Sequence, residues 1–272
     1  MHHELSGRTV AITGAGRGIG RATAEALLAR GARVALGDLQ APDVGERPGA
    51  VGLALDVSDS ASFGAFLAGA EDAHGPLDVL VNNAGIMPIG PFLSESEALT
   101  RRQVDVNVHG VLNGMRLALP GMLARGSGHV VNLGSAASLV GLPGEAVYCG
   151  TKHFVLGVSE AVRAELRGTG IDVTVVMPNL AATRLGAGMA PARGSKLLSA
   201  DEIAQALVGA IERPRFEVPV PARIGPALRL RALLPVRARD AAMRALGMDK
   251  VATDVAEGER AEYRAELDRA TR

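Results

Sequence analysis

Tyr148 and Lys152 lie four residues apart in the segment Tyr148-Cys149-Gly150-Thr151-Lys152, and Ser135 stands thirteen residues before the tyrosine. If the segment is helical, residues at this spacing share one face, so the phenol and the ammonium can approach each other. A free phenol titrates near ~10, and a fixed cation within ~4–6 Å favours its ionised form. A serine hydroxyl held beside it can hydrogen-bond an oxygen on which charge develops. The three residues therefore indicate proton transfer between an alcohol and a carbonyl.

The elements that must position these residues alternate along the chain. Short apolar runs predict strands at residues 9–13, 33–37, 51–55, 77–81, 129–133, 171–177 and 216–220. Helical patterns lie at residues 18–30, 59–74, 95–125 (broken near Arg101), 148–167 and 200–212. The strands are continuously apolar, which implies burial on both faces of the sheet. The alternation predicts an α/β fold, a Rossmann-like doubly wound parallel sheet of about seven strands with helices on both faces.

Length and composition fit one large domain. Of 272 residues, 47% are apolar, enough for a substantial core. Residues 1–222 are predicted to form a single dinucleotide-binding and catalytic domain, and residues 223–272 a basic, helical appendage. The formal net charge of +0 gives no indication of a general nucleic-acid binder. The single cysteine, Cys149, excludes an internal disulfide and favours a cytoplasmic location, and it is either a small packed residue or a reactive thiol.

No signal peptide is expected from the first residues of the sequence. Met1-His2-His3-Glu4-Leu5 lacks the apolar stretch of a signal peptide, and no run of eighteen apolar residues predicts a membrane span. His2 and His3 alone do not make a metal site, and we expect no metal elsewhere.

A glycine-rich turn follows the first predicted strand, in the order Thr13, Gly14, Ala15, Gly16, Arg17, Gly18, Ile19 and Gly20. Glycines let the backbone approach a pyrophosphate, which then rests on the amino end of the next helix. A strand before the turn and a helix after it favour a dinucleotide site over a simple tight turn.

Two side chains near this turn bear on the choice of dinucleotide. Asp38 closes the second strand, where a carboxylate accepts hydrogen bonds from the adenosine ribose and repels a 2′-phosphate. Arg17 argues the other way, because a guanidinium in the glycine turn can hold that phosphate, or it is simply solvated. Asp38 occupies the discriminating position, so we expect NAD, with NADP less favoured.

Together these residues resemble the short-chain dehydrogenase/reductase family in its compact single-domain form. The resemblance runs in order from about residue 6 to 216. It rests on the glycine turn, Asp56-Val57, Asn82-Asn83-Ala84-Gly85, Asn107, Ser135, and Tyr148 with Lys152. It implies an NAD(P)-dependent oxidoreductase acting on CH–OH groups by hydride transfer between a secondary alcohol and a ketone.

The resemblance also implies roles for individual residues. Tyr148 would exchange the proton, Lys152 would lower the tyrosine's pKa and hold the nicotinamide ribose, and Ser135 would orient the substrate oxygen. Asn107 would hold a water that links Lys152 to solvent. Cofactor contacts are implied for Asp56, Val57, Asn83, Ala84, Gly85, Tyr148, Lys152, Pro178 and Thr183.

One departure from the family pattern follows the sixth strand. Family members usually have Pro-Gly there, whereas this chain has Pro178-Asn179. Asparagine tolerates a left-handed backbone better than most residues, so we expect the turn to survive with modest strain.

Several residues keep a structural alternative. Ser138 lies close enough to be mistaken for Ser135, Asn107 could satisfy buried backbone groups, and Asp56 could cap a helix. Asn82 is expected to have a structural role in linking neighbouring strands. The histidines His109, His129 and His153 have no partner spacing and are expected to be structural.

Substrate choice is assigned to residues 178–198 and to side chains after the fifth strand. The latter are Ala136, Ala137, Leu139, Val140 and Leu142. They are apolar, so a hydrophobic alcohol or ketone is expected, in preference to a strongly anionic substrate.

The appendage divides into two parts. Residues 223–247 carry six arginines among leucines, which suits a lid, an arm on a neighbouring subunit, or peripheral contact with an anionic membrane. Residues 251–272 mix acidic and basic side chains and are expected to form a solvated helix.

Two other functions on the same scaffold remain open. One is a non-catalytic dinucleotide-sensing protein, which would be expected to lose the Tyr–Lys pair. The other is a lyase or epimerase, for which a different glycine spacing is usual. The resemblance also implies a homodimer or homotetramer formed by the helices at about residues 103–125 and 148–167.

Overall fold

The computed structural model describes residues 4–255 and 257–270. Its strands are β1 Thr9–Thr13, β2 Arg33–Asp38, β3 Ala50–Ala54, β4 Val79–Asn82, β5 Gly128–Leu133, β6 Ile171–Pro178 and β7 Glu217–Val220. Its α-helices are α1 Gly18–Leu28, α2 Ser60–His74, α3 Glu97–Val104, α4 Gly110–Arg125, α5 Ala146–Glu165, α6 Ala200–Glu212, α7 Ile224–Ala232, α8 Val236–Ala245 and α9 Glu257–Ala270. His2 and His3 lie outside the described residues.

All seven strands pair in parallel, in the order β3-β2-β1-β4-β5-β6-β7. The predicted Rossmann-like doubly wound sheet is therefore confirmed. The strand order reverses at β1, which pairs with β2 on one side and β4 on the other. In such sheets the crevice at the carboxyl ends of these strands is the usual ligand site.

Two apolar layers enclose the sheet, one on each face. Alternate residues of β1 point to opposite layers, because side chains in a strand alternate in direction. Val10 and Ile12 pack with Leu27 of α1 and Leu207 of α6, whereas Ala11 packs with the helices of the other face. Complete burial of one such leucine contributes roughly 1.5–3 kcal/mol, so both layers stabilise the sheet.

Local signals in the sequence define several helix ends. Asp59 caps α2, its side chain accepting a hydrogen bond from the Ala61 amide at 2.8 Å. Ser199 and Glu202 form a reciprocal capping box at the start of α6. Gly126 ends α4 in the left-handed conformation at φ 66°, which glycine adopts without strain.

The long helical pattern at residues 95–125 is interrupted, but not near Arg101 as predicted. Instead α3 passes into a single π-helical segment, Asp105–His109, before α4 begins. Such π-bulges are rare and occur often at functional sites. Asn107 lies within this segment.

Candidate active site

Hydrogen bonds to the loop after β4 hold the glycine turn between β1 and α1 in place. The Thr13 hydroxyl accepts from the Asn83 and Ala84 amides at 3.0 and 2.9 Å, and the Asn83 side-chain amide donates to the Thr13 and Gly14 carbonyls at 2.8 and 3.0 Å. A Cβ on Gly20 would lie 2.4 Å from the Gly14 carbonyl oxygen, so no larger residue fits there. The amino end of α1 therefore faces the crevice at close range.

Asp38 is fixed at the end of β2 on the same crevice. Its carboxylate accepts from the Gly16 amide at 2.9 Å and from the Leu39 amide at 2.8 Å. A Cβ on Gly16 would lie 2.8 Å from the Asp38 carboxylate oxygen Oδ2, so glycine permits this contact. The carboxylate is thus rigidly placed where an adenosine ribose is expected.

A cavity of about 440 Å³ runs along this crevice. Predicted cofactor residues on its wall are Gly14, Arg17, Gly18, Ile19, Asp38, Asp56, Val57, Asn83, Ala84, Gly85 and Thr183. Gly20 does not line this cavity but packs behind the turn, and Pro178, Tyr148 and Lys152 line an adjoining pocket. The volume, the glycine cradle and the helix amino end suit a dinucleotide.

Asp56 lines the cavity and also braces its own loop. Its carboxylate accepts from the Ser58 amide and hydroxyl at 2.9 and 2.6 Å, and Arg102 lies 3.4 Å away. Burial works against its charge, but these hydrogen bonds and Arg102 together hold the Asp56 pKa below its usual range. Since Asp59 caps α2, Asp56 itself does not serve as the cap of that helix.

Tyr148 and Lys152 lie on the first turns of α5 and are both buried. The Lys152 Nζ atom lies 5.7 Å from the centre of the tyrosine ring and donates a hydrogen bond to the Leu133 carbonyl at 2.7 Å. The helical spacing therefore brings the two groups together at the end of β5.

The pKa of Tyr148 shifts in the direction opposite to the expectation. Burial raises it, the nearby Glu145 carboxyl adds to the rise, and a hydrogen bond with Ser135 lowers it only in part. Burial also lowers the pKa of Lys152 to about 8. Desolvation dominates because both groups are withdrawn from water, and it disfavours the charged form of each.

Ser135 and Ser138 have different positions. Ser138 is buried, and its hydroxyl accepts a hydrogen bond from the Ser135 amide at 3.2 Å. The Ser135 hydroxyl accepts from the Ala137 amide at 3.1 Å and lines the pocket with Tyr148. The serine at thirteen residues' spacing is thus the one that faces the tyrosine.

Asn107 sits in the π-helical segment and binds neighbouring backbone. Its Oδ1 accepts from the Ile86 amide at 2.8 Å, and its Nδ2 donates to the Ile86 carbonyl at 2.9 Å and to Thr151 at 3.1 Å. The two contacts with Ile86 are those expected of the structural alternative, in which Asn107 satisfies buried backbone groups. A Cβ on Gly85 would lie 3.2 Å from Asn107 and 3.7 Å from Lys152, so all three groups meet at one point.

A second, smaller pocket of about 110 Å³ lies beside Tyr148. Of the predicted side chains, Ala136, Ala137 and Leu142 line it, but Leu139 and Val140 do not. The pocket shares its boundary with the larger cavity through Ile19, Asn83, Gly85, Leu133, Thr183 and Leu185. The two spaces therefore adjoin.

Sequence reasoning missed other residues on the pocket wall. Met87, Glu145 and Val251 contribute to it, whereas Met189 belongs to the predicted range 178–198. Glu145 is buried among apolar side chains, and burial raises its pKa to about 7, partly offset by Arg260. Its place three residues before Tyr148 was the available signal, since residues three apart share a helix face.

Cys149 is not activated as a thiol, and the backbone of Asn179 is not strained. Cys149 is buried, burial raises its pKa to about 11, and its sulfur accepts from the Leu142 amide at 3.3 Å, as expected for a packed residue. Asn179 does not adopt the left-handed backbone anticipated for it, since in residues 4–255 and 257–270 only glycines have positive φ. Its amide donates to Val220 at 2.8 Å and its side chain to Ser195 at 2.6 Å, so the turn is held without strain.

The end of the chain does not form the solvated helix expected for residues 251–272. Tyr263 and Leu267 of α9 are buried and line the larger cavity together with Glu266. The Tyr263 hydroxyl accepts from the Met87 amide at 2.9 Å, and Arg260 donates to the Met87 and Leu185 carbonyls, both at 2.5 Å. These contacts make α9 an outer wall of the site. A few apolar residues on one face sufficed to dock it, despite its polar composition.

The preceding part, 223–247, covers neither space. Arg229 pairs with Glu217 of β7, whereas Leu230, Leu233 and Val236 are exposed. The covering role considered for 223–247 therefore falls to α9.

Within residues 4–255 and 257–270, no three His, Cys, Asp or Glu side chains are grouped to hold a metal ion. None of the helices described there has the length and apolar character needed to cross a membrane.

Comparison with known proteins decides the family. A family model described as short chain dehydrogenase matches residues 8–193. The chain belongs to the short-chain dehydrogenase/reductase family. It is accordingly an oxidoreductase of the kind that acts on CH–OH or keto groups.

Two relatives illustrate the range within the short-chain dehydrogenase/reductase family. The chain is 38% identical over 210 residues to 2-(S)-hydroxypropyl-CoM dehydrogenase 3 of Xanthobacter autotrophicus, covering 74% of this chain and 79% of that protein. It is 35% identical over 227 residues to a glycine betaine reductase of Emericella nidulans, covering 77% of this chain but only 18% of that longer protein.

Solved structures of family members show the same architecture. A short-chain dehydrogenase of Burkholderia cenocepacia in complex with NADP aligns with TM-score 0.76 and 28% identity, over 90% of this chain and 99% of that one. A family member from Burkholderia phymatum in complex with NAD aligns with TM-score 0.74 and 27% identity, over 85% and 94% of the two chains.

Proposed function

We propose that this protein is an NAD-preferring dehydrogenase that interconverts a secondary alcohol and a ketone on a small, largely apolar substrate. The observation that carries the proposal is the position of Tyr148 and Ser135. Both line the 110 Å³ pocket, which adjoins the 440 Å³ cavity beside the glycine turn. A substrate in the pocket would thus lie next to a dinucleotide in the cavity.

In this proposal the chain moves the proton and aligns the substrate. Tyr148 passes its hydroxyl proton to the carbonyl oxygen during reduction and takes a proton from the alcohol during oxidation. Ser135 donates a hydrogen bond to the same oxygen. When bound, the nicotinamide ring supplies the acceptor or donor of the hydride, which balances the two-electron change at the substrate carbon.

Lys152 supports the proton transfer by its charge. The raised Tyr148 pKa keeps the phenol protonated at neutral pH, so the proton needed for reduction is present on the residue. Oxidation needs the phenolate, and the ammonium 5.7 Å from the ring centre stabilises that state. Asn107 would hold the water that links Lys152 to solvent, a role favoured by its proximity to Gly85 and Lys152.

Asp38 favours NAD over NADP. Two backbone amides hold its carboxylate on the cavity wall, where it would accept hydrogen bonds from ribose hydroxyls. A 2′-phosphate there would meet a fixed negative charge. The two Burkholderia structures bind one dinucleotide each, so the family fold accommodates either.

The pocket lining favours a substrate with an apolar body. Met87, Ala137, Leu142 and Met189 surround the space beside Tyr148. Glu145 is the one ionisable group there besides Tyr148 and Lys152 among the described residues, so a strongly anionic substrate is disfavoured.

Assembly and location are part of the proposal. Exposed Leu117 and Leu123 on α4 and Phe154 on α5 support pairing of these helices in a homodimer or homotetramer. The buried, reduced Cys149 is consistent with a cytoplasmic location. The exposed leucines among the arginines of 223–247 keep peripheral contact with an anionic membrane as an alternative use of that segment.

A matched assay tests the function. Production of NADH and NADPH is followed across hydrophobic secondary alcohols, and their consumption across the matching ketones. We expect turnover with apolar substrates and a higher kcat/KM with NAD. Dinucleotide binding without turnover on any substrate would instead support a sensing protein, and activity confined to charged sugar phosphates would overturn the substrate class.

A further inference from the structure

Glu266 on α9 contacts Arg17 of the glycine turn, although 249 residues separate the two in the sequence. Its Oε1 lies 2.6 Å from the Nη2 atom of Arg17, and its Oε2 lies 3.2 Å from Arg184 Nη1. All three residues line the 440 Å³ cavity. One carboxylate therefore engages two guanidinium groups on the wall of the proposed dinucleotide site.

Arg17 is the group this carboxylate affects most. A guanidinium in the glycine turn has the planar donor set that binds a phosphate with two parallel hydrogen bonds. Burial opposes its charge, yet the hydrogen bond and field of Glu266, with Asp38 adding, raise the Arg17 pKa. The Arg17 guanidinium therefore already pairs with the Glu266 carboxylate, and both Glu266 and Asp38 stabilise its positive charge.

The position of Glu266 is set by anchors along one face of α9. Arg260 donates to backbone carbonyls of Met87 and Leu185, and the Tyr263 hydroxyl accepts from the Met87 amide. Residues three and four apart share a helix face, so these anchors orient Glu266 toward Arg17. The contact is therefore built into the docking of the helix.

We propose that Glu266 is a second residue that determines cofactor specificity, acting with Asp38 to exclude NADP. It withholds the Arg17 guanidinium from a 2′-phosphate by pairing with it. The inference rests on the proposed NAD preference. Both dinucleotides carry the pyrophosphate, so any effect of Glu266 on that group cancels when the two are compared.

The test measures binding instead of turnover. The chain has no tryptophan, so the fluorescence of reduced nicotinamide can be titrated with little protein background. Dissociation constants of NADH and NADPH are compared for the wild type, Glu266→Gln and Glu262→Gln. Glu262 is the matched control, because it lies on the same helix, pairs with Arg184 and is 80% exposed, but does not line the cavity.

We expect Glu266→Gln to tighten NADPH binding roughly 5- to 30-fold while NADH changes by less than about threefold, since a charge-assisted contact at a half-exposed site is released. Glu262→Gln should leave the ratio of the two constants near that of the wild type. Adding Arg17→Gln to Glu266→Gln should remove the gain, because the freed guanidinium is its source.

The outcomes separate the two proposals. An unchanged NADPH/NADH ratio in Glu266→Gln, or an equal change for both dinucleotides, overturns the role of Glu266. A wild type that binds NADPH more tightly than NADH overturns the proposed NAD preference, whatever Glu266→Gln does to the ratio. A melting curve of each variant checks that α9 and the domain remain folded.

Discussion

The cavity beside the glycine turn and the pocket beside Tyr148 are built in different ways. The cavity is formed by backbone turns at the ends of parallel strands, with fixed charges such as Asp38 at its rim. The pocket is formed by side chains from separate loops, and it encloses the buried carboxyl of Glu145. Hydrogen bonds hold the Asp38 carboxylate at the cavity rim. In the pocket, desolvation is the main cause of the shifted pKa values of Glu145, Tyr148 and Lys152.

In the proposed function the cavity binds the dinucleotide and the pocket carries the chemistry. Tyr148→Phe should separate these two roles with the largest effect. Loss of the phenol hydroxyl should lower kcat by roughly 10²–10⁴-fold, since general acid–base catalysis is removed. NADH binding, measured by fluorescence titration, should change by less than about threefold, because the tyrosine lies on the pocket side.

Cys149→Ala is the matched control for that variant. Cys149 is adjacent to Tyr148 and equally buried but does not line the pocket. It should keep most of the turnover. Near-normal kcat in Tyr148→Phe would contradict the assignment, and loss of activity in Cys149→Ala would revive the reactive-thiol alternative.

Glu145→Gln tests whether desolvation in the pocket raises the pKa of the Glu145 carboxyl. The Glu145 pKa is raised from 4.5 to about 7, so the folded protein holds this proton more tightly than the unfolded chain. Stability is therefore lost as pH rises from about 4.5 through about 7. At ~1.4 kcal/mol per pKa unit, the rise from 4.5 to about 7 gives a loss of at most about 3.5 kcal/mol.

Urea unfolding at several pH values measures this effect. Relative to the wild type, Glu145→Gln should gain stability between pH 5 and 8, by up to about 3.5 kcal/mol. Glu160→Gln, an exposed position on the same helix, is the matched control. Parallel stability curves for wild type and Glu145→Gln would show that the pocket does not desolvate the carboxyl.

Asn179→Gly tests the smallest expected effect, at the turn after β6 on the wall of the pocket. The family pattern has glycine here, but Asn179 has an ordinary backbone and donates to Ser195 at 2.6 Å. Replacement should therefore destabilise the protein by about 1 kcal/mol, through the lost hydrogen bond and the added freedom of glycine.

Thermal or urea unfolding measures that change, with Ser195→Ala as the partner variant. Ser195→Ala removes the same hydrogen bond without altering backbone freedom, so its effect should be smaller. An increase in stability for Asn179→Gly would show that the backbone is strained after all.

The sequence by itself determined the sheet and the local motifs. Continuous apolar runs alternating with helical patterns predicted the doubly wound sheet, and glycines whose added Cβ would collide with backbone indicated the turn beside β1. The Tyr148–Lys152 spacing placed both side chains on one face of α5. These signals are local, because periodicity and steric demands act within a few residues.

Only the tertiary structure decided what surrounds those motifs. Glu266 meets Arg17 across 249 residues of chain, and α9 forms a wall of the cavity although its composition suggested a solvated helix. The rise in the Tyr148 pKa likewise follows from burial, which the spacing to Lys152 does not reveal. Desolvation and long-range pairing depend on every group packed nearby, and no local pattern encodes which distant surface a half-polar helix will cover.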